Sequence, residues 1–256
     1  MSLIDRVAIV TGAGSGIGRA IAKAYAAEGA DVVLAGRRPD PLEETATAVR
    51  ALGPRAVVVP SDVTVEEDVR GVVATAIDEL GRVDLLVNAA ASAAEETSTA
   101  NVTVESWNET LAATLTSVML VSRECLTRSM LARRAGAIVN VASTAGLRGV
   151  ADKAAFSAAK AGVLRFTEAL AGEVGPHGIR VNAIVPGLVA TERLQGYYER
   201  VSAQRGIDYD RVIDEATRQV ALRRLIRPEE VAAVAVFLAS EQASAITGQA
   251  LEVSGG

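Results

Sequence analysis

Short runs rich in Val, Ile and Leu alternate along this chain with longer stretches in which apolar positions recur every three or four residues. The runs RVAIVTG (6–12), DVVLAG (31–36), RAVVVPSDV (55–63), VDLLVNAA (83–90), GAIVNVAS (136–143), IRVNAIVPG (179–187) and GQALEVSGG (248–256) predict strands. Helical periodicity falls between them, near 17–29, 39–52, 65–80, 104–133, 153–175 and 228–240. Near-continuous apolar strands separated by helices imply right-handed βαβ crossovers, hence an α/β fold with a parallel sheet and helices on both faces. No linker, low-complexity tract or fixed-period repeat divides the chain, so a single domain over 1–256 is expected.

One segment breaks the alternation. Residues 190–227, ATERLQGYYERVSAQRGIDYDRVIDEATRQVALRRLIR, are highly charged and contain Tyr197, Tyr198 and Tyr209. They come just before the last helix and strand, at the carboxyl end of a predicted strand. Folds of this class bind ligands at that end, so the segment reads as a substrate lid; a solvated helical insertion is the plainer alternative.

Composition narrows the choices. Of 256 residues, 50% are hydrophobic but only 3% are aromatic, so the core must be built from Ala, Val, Leu and Ile. A net charge of −5 with mixed signs argues against a nucleic-acid or anionic-membrane surface. The single cysteine, Cys125, excludes an intrachain disulfide, brings no metal-ligand cluster and lies in an apolar helical stretch, where it reads as core. The opening MSLIDRVAIV runs into a strand without the charged and apolar regions of a leader, and no apolar stretch is long enough to span a bilayer. A soluble, cytoplasmic protein is expected.

The first chemistry-bearing motif is Thr11-Gly12-Ala13-Gly14-Ser15-Gly16-Ile17-Gly18, between the first strand and the first helix. Glycines let the backbone turn tightly and approach a pyrophosphate, whose charge meets the free amides of a helix N-terminus. Such a turn can simply close a corner, but strand, glycine turn and amphipathic helix in this order are the context a dinucleotide site requires. At the end of the second strand, Leu34-Ala35-Gly36-Arg37-Arg38 carries two guanidiniums and no carboxylate. An acid there would hold the ribose hydroxyls of NAD; arginine suits the 2′-phosphate of NADP. NADP(H) is therefore expected over NAD(H), with a solvated basic turn as the alternative.

These motifs, together with Asp62 and Val63 in PSDV, Asn88 and Ala89 in LLVNAA, Ser143 in IVNVAS, Lys160 in FSAAK, VPGLVAT (185–191) and the ending RPEEVAAVAVFLAS…ITGQALEVSGG, resemble the short-chain dehydrogenase/reductase family. The resemblance covers essentially the whole length. It implies a seven-stranded doubly wound (Rossmann) sheet, a nicotinamide cofactor, a small-molecule substrate and a homotetramer or dimer. By resemblance the cofactor-binding residues are Thr11, Gly12, Ser15, Gly16, Ile17, Gly18, Arg37, Arg38, Asp62, Val63, Asn88, Ala89, Lys160, Pro186, Gly187, Val189 and Thr191. No metal is implied.

In that family a serine polarises the substrate carbonyl, and a tyrosine four residues before a lysine supplies the proton. An asparagine in the preceding long helix holds a relay water. Ser143 and Lys160 match; Phe156 stands at the tyrosine position, Thr114 at the asparagine position, and Ala89-Ala90-Ala91 replaces the family's Asn-Ala-Gly after Asn88. Three departures together point to divergence rather than to one altered position. Phenylalanine neither gives nor takes a proton, and losing a general acid forfeits ~10²–10⁴ in rate. Tyr197, Tyr198, Glu95, Glu96, Asp152 and Lys153 are replacements to consider, although each reads first as a surface residue; His177, in GPHGIR, reads as a turn residue at the far end of its strand.

Three functions are compatible with these residues. One is an NADP(H)-dependent carbonyl reductase or alcohol dehydrogenase with an atypical site. Another is a non-redox enzyme on the same scaffold. The third is a non-catalytic cofactor-binding or partner subunit. The apolar Leu147, Val150 and Leu188 and the small Ala154 and Ala155 suggest a roomy apolar pocket without naming a substrate.

Overall fold

In the computed structural model, which describes residues 2–92 and 96–256, the seven expected strands are β1 (Val7–Thr11), β2 (Asp31–Gly36), β3 (Ala56–Pro60), β4 (Leu85–Asn88), β5 (Gly136–Val141), β6 (Ile179–Pro186) and β7 (Ala250–Val253). They pair in parallel throughout, in the order β3-β2-β1-β4-β5-β6-β7. From β1 the chain steps outward to β2 and β3, then returns to place β4 on the other side of β1. That reversal opens a crevice beyond the carboxyl ends of β1 and β4, where doubly wound sheets bind their ligands.

Each sheet face is covered by helices whose buried stripes the sequence periodicity marks. On one face, Ile21 of α1 (Gly16–Ala27), Leu42 of α2 (Pro39–Arg50) and Val231 of α10 (Pro228–Ala239) join Val10, Val32 and Val139 in one cluster. On the other, Val72 of α3 (Glu66–Leu80), Leu120 and Cys125 of α5 (Ser117–Cys125) and Leu170 of α7 (Ala154–Val174) pack on Ile9, Val33 and Ile138. Cys125 is fully buried, and burial pushes its thiol pKa up, as expected of a core residue. Helix starts follow local chemistry: Pro39 and Pro228 sit in the first turns of α2 and α10, and Glu66, Glu67 and Asp68 place negative charge at the start of α3.

The edge of the sheet opposite the crevice is pinned by Asp84, 1% exposed, just before β4. Its carboxylate accepts from the Val7 amide at 2.8 Å, Arg82 Nε at 2.9 Å and Arg133 Nη2 at 2.6 Å. His177 lies in a single turn (Gly175–His177) ahead of β6, with Nδ1 3.3 Å from Arg134 Nη1, at the end away from the crevice.

The expected helix over 104–133 is corrected in one respect. It consists of α4 (Val104–Leu111), α5 and α6 (Leu131–Arg133), separated by π-helical turns at Ala112–Thr116 and Leu126–Met130. Each such turn inserts one residue into the hydrogen-bond ladder, and such turns often mark functional positions. The segment after β6 forms α8 (Glu192–Arg205) and α9 (Tyr209–Ala216), in which only Tyr198 and Val212 are buried. Among the described residues no helix is long and apolar enough to cross a membrane.

Candidate active site

The crevice is a cleft of about 1360 Å³ that runs from the glycine turn to the start of α7. Gly12 and Gly16 adopt the left-handed conformation, at φ 65° and 50°, where a side chain would be strained. A Cβ on Gly18 would collide with the Gly12 carbonyl, so the turn folds back on the first turn of its own helix. Ser15 caps α1 without a side-chain hydrogen bond, leaving the first amides of the helix to the cleft. Gly18→Ala should therefore open the turn, destabilise the fold by about 1–3 kcal/mol and weaken dinucleotide binding, as read by thermal unfolding and cofactor fluorescence.

Behind the turn, Thr11 is buried and joins strand ends rather than lining the cleft. Its Oγ1 donates to the Val87 carbonyl at 3.3 Å and accepts from the amides of Ala89 and Ala90 at 3.1 and 3.2 Å. Asn88, 3% exposed, is likewise behind the lining: Nδ2 donates to Asn140 Oδ1 at 2.9 Å and Ser122 Oγ at 3.2 Å. Asn140 passes the chain on to Thr167 Oγ1 at 2.9 Å. This buried polar relay fixes the β4 and β5 ends that carry the site.

Arg37 and Arg38 stand exposed on the cleft at the end of β2, without a hydrogen bond or ion pair among the described residues. Asp62, at the end of β3, accepts from the amide and the hydroxyl of Thr64 at 3.0 and 2.7 Å. Those bonds, with the charge of Arg37, hold its carboxyl below the usual range against the opposing effect of burial. Ser15, Ile17, Val63, Ala89, Pro186, Gly187, Val189 and Thr191 also line the cleft.

At the other end, Ser143, Phe156 and Lys160 share the cleft. Ser143 Oγ accepts from the Ala145 amide at 3.2 Å, which leaves its own proton to donate. Phe156 and Lys160 are one helical turn apart on α7, with Lys160 Nζ 5.7 Å from the ring centroid. The lysine side chain is 4% exposed and donates to the Val141 carbonyl at 2.6 Å. Burial, and secondarily the charge of Arg193, lower its pKa to about 7. Gly162, one of the small residues on α7, admits Leu115: a Cβ there would come 2.7 Å from the leucine Cδ2. That part of the small-residue face accommodates a neighbouring helix.

Thr114 is fully buried within the first π-turn, outside the lining, and accepts from the Ser92 amide at 3.4 Å. The cleft mouth is tied by Lys153, whose Nζ lies 2.7 Å from Glu96 Oε1; Tyr197 Oη donates to Glu96 Oε2 at 3.5 Å. Tyr197 packs edge-on against Tyr198, and neither lines the cleft. Asp152, at φ 60°, takes the Thr97 amide on its carbonyl at 2.9 Å. Glu95 lies outside the described residues. Three charged residues that sequence reasoning passed over, Glu109, Glu192 and Arg193, do line the cleft. Their only sequence signal is position, one near the end of α4 and two just past the VPGLVAT segment.

An open glycine turn at the sheet's switch point, joined in one cleft to a serine and a buried lysine, defines a dinucleotide-dependent oxidoreductase. The chain belongs to the short-chain dehydrogenase/reductase family: the family model described as enoyl-(acyl carrier protein) reductase matches residues 12–256. A putative ketoacyl reductase of the monensin polyketide synthase from Streptomyces virginiae is 41% identical over 253 residues, 98% of this chain and 97% of its own. The L-sorbose reductase from Gluconobacter frateurii, solved with NADPH and L-sorbose, superposes with a TM-score of 0.95 at 33% identity, covering 100% of this chain and 97% of that one. An NAD+-bound xylitol dehydrogenase superposes with a TM-score of 0.92 at 30% identity, with 100% of both chains covered. A nicotinamide cofactor is common to both structures; the 2′-phosphate is not.

Proposed function

We propose that this chain reduces a ketone, or oxidises the corresponding secondary alcohol, with NADP(H), at a site whose proton delivery is altered by Phe156. The observation that carries this reading is the continuity of the cleft, which joins Arg37 and Arg38, the glycine turn, Ser143 and Lys160 in one cavity. The cradle fits a dinucleotide: its turn has no space for a Cβ at Gly18, its helix amides are uncapped, and its β2 end offers guanidiniums without a competing carboxylate.

Bound there, the cofactor would supply or accept hydride at the substrate carbon. Arg37 and Arg38 would hold the 2′-phosphate, and the Gly12–Gly18 turn the pyrophosphate. Lys160 spends one N–H on Val141 and keeps at least one for the ribose hydroxyls. Ser143 donates its hydroxyl proton toward the carbonyl oxygen and so favours the charge that develops there. Phe156 contributes an apolar wall and no proton. Thr114 and Asn88 act from behind the lining, on the backbone and side chains that position it. Segment 190–227 is read as the substrate lid, its helix α8 presenting Glu192, Arg193 and Leu194 to the cleft. A homodimer or homotetramer is the expected assembly, to be read by sedimentation.

Titration with NADPH and NADH, followed by nicotinamide fluorescence, tests the cofactor half of this reading. Tight NADPH with weak NADH is expected, and Arg37→Ala should weaken NADPH by ~1.5–3 kcal/mol, the scale of a hydrogen bond to a charged group. Equal affinity for the two cofactors would remove the NADP assignment. Cofactor binding without turnover of any carbonyl compound would leave the partner-subunit reading in its place.

A further inference from the structure

Besides Arg37 and Arg38, a third cation in the cleft has no hydrogen-bond or ion-pair partner among the described residues. Arg193, exposed in the first turn of α8, lines the cleft and makes no hydrogen bond or ion pair among the described residues. Its neighbour Glu192 is already paired, at 3.4 Å from Arg19 Nη1, and Arg19 in turn donates to the Gly14 carbonyl at 2.6 Å. The position is electrostatically unfavourable twice over. The first turn of a helix favours acids rather than bases, and the charge of Arg193 adds to burial in disfavouring the proton on the Lys160 amine. The other acids of the cleft do not compensate it. Asp62 lies at the β3 end on Thr64, and Glu109, on α4, makes no ion pair with either cation. Lys153 is engaged by Glu96. An anion placed beside Arg193 and Lys160 would relieve both positions at once.

Resting on the oxidoreductase reading of this site, we infer that the substrate is a carbonyl compound bearing a carboxylate, or the matching hydroxy acid. The carboxylate is held by the Arg193 fork while the carbonyl oxygen meets Ser143. Guanidinium matches carboxylate in a bidentate way, and α8 brings that fork into the cleft that Ser143, Phe156 and Lys160 also line.

The test uses the full-length protein and stable oxo acids, 4-oxo-4-phenylbutanoate and its 5- and 6-oxo homologues, each against its methyl ester. Kinetics are measured with NADPH, and calorimetry follows binding to the complex with NADP+. A preference for at least one acid over its ester is expected. Arg193→Met should weaken that acid by ~10–100-fold, the scale of a lost charge-assisted bond, and abolish the preference, while Arg193→Lys restores part of it. NADPH affinity should stay at the unmodified value. Equal handling of acids and esters overturns the inference. So does a loss of NADPH affinity in Arg193→Met, because the guanidinium would then serve the cofactor's phosphates. Binding of an oxo acid that depends on Arg193, without turnover of any carbonyl compound, would sustain the anion site and reject the oxidoreductase reading instead.

Discussion

Phe156→Tyr is expected to raise carbonyl-reductase turnover by ~10²–10⁴, equivalent to about 3–5 kcal/mol of transition-state stabilisation. The ring already lines the cleft on the first turn of α7, so the added hydroxyl extends a side chain whose place is set. Lys160 lies a turn away, and its positive charge would favour the phenolate and bring the tyrosine's pKa toward neutrality. Ser143 faces the same space with a proton to donate. The proton donor is what this substitution restores to that geometry, and a panel of activated ketones with NADPH measures its return. No gain on any ketone would place the defect deeper, in Thr114, whose hydroxyl is turned to Ser92, and in the Ala89–Ala91 stretch. Both depart from the family pattern beside the same cleft.

Most of the scaffold behind that prediction is readable from residue order. The strands are legible because parallel strands are buried on both faces and read as unbroken apolar runs, as in β1, where every residue is buried. The glycine turn is legible because few backbones need glycine where Gly12, Gly16 and Gly18 stand. The π-turns are not, since no residue type marks where an extra residue enters the hydrogen-bond ladder. Thr114 is therefore placed in a buried corner that no pattern announces. Thr11 and Asn88 show a second limit. Their motif announces a ligand site but not the bonds their side chains make between strand ends, which buried polar groups need within the protein. Arg193 shows a third: an unpaired charge looks like any surface arginine until the fold puts it in the cleft.

Lys160→Met should make the cofactor-free protein more stable at and below neutral pH, with the advantage fading as pH rises. An unfolded lysine keeps its proton up to about 10.4. In the folded chain, burial and Arg193 bring release down to about 7. Between those values the unfolded state binds more protons than the folded one, so the stability of the unmodified protein rises with pH across that window. Below about 7 both states are protonated and the full cost of a buried ammonium is present, ~3–5 kcal/mol from the displacement of the titration. Methionine carries no charge and lacks this dependence, but it strands the Val141 carbonyl, which returns ~1–3 kcal/mol. Denaturant unfolding of both proteins at pH 6 and at pH 9.5 separates the two contributions. The charge contribution diminishes between those pH values, whereas the lost hydrogen bond costs the same at both. A stability difference independent of pH would mean that Lys160 keeps its proton in the folded cleft. Its bond to Val141 and the Phe156 face would then outweigh desolvation, and a permanently charged ammonium would repel Arg193 throughout the working range. In that event an anion between the two would be needed even more, and the same titration repeated with an oxo acid present would show it as added stability.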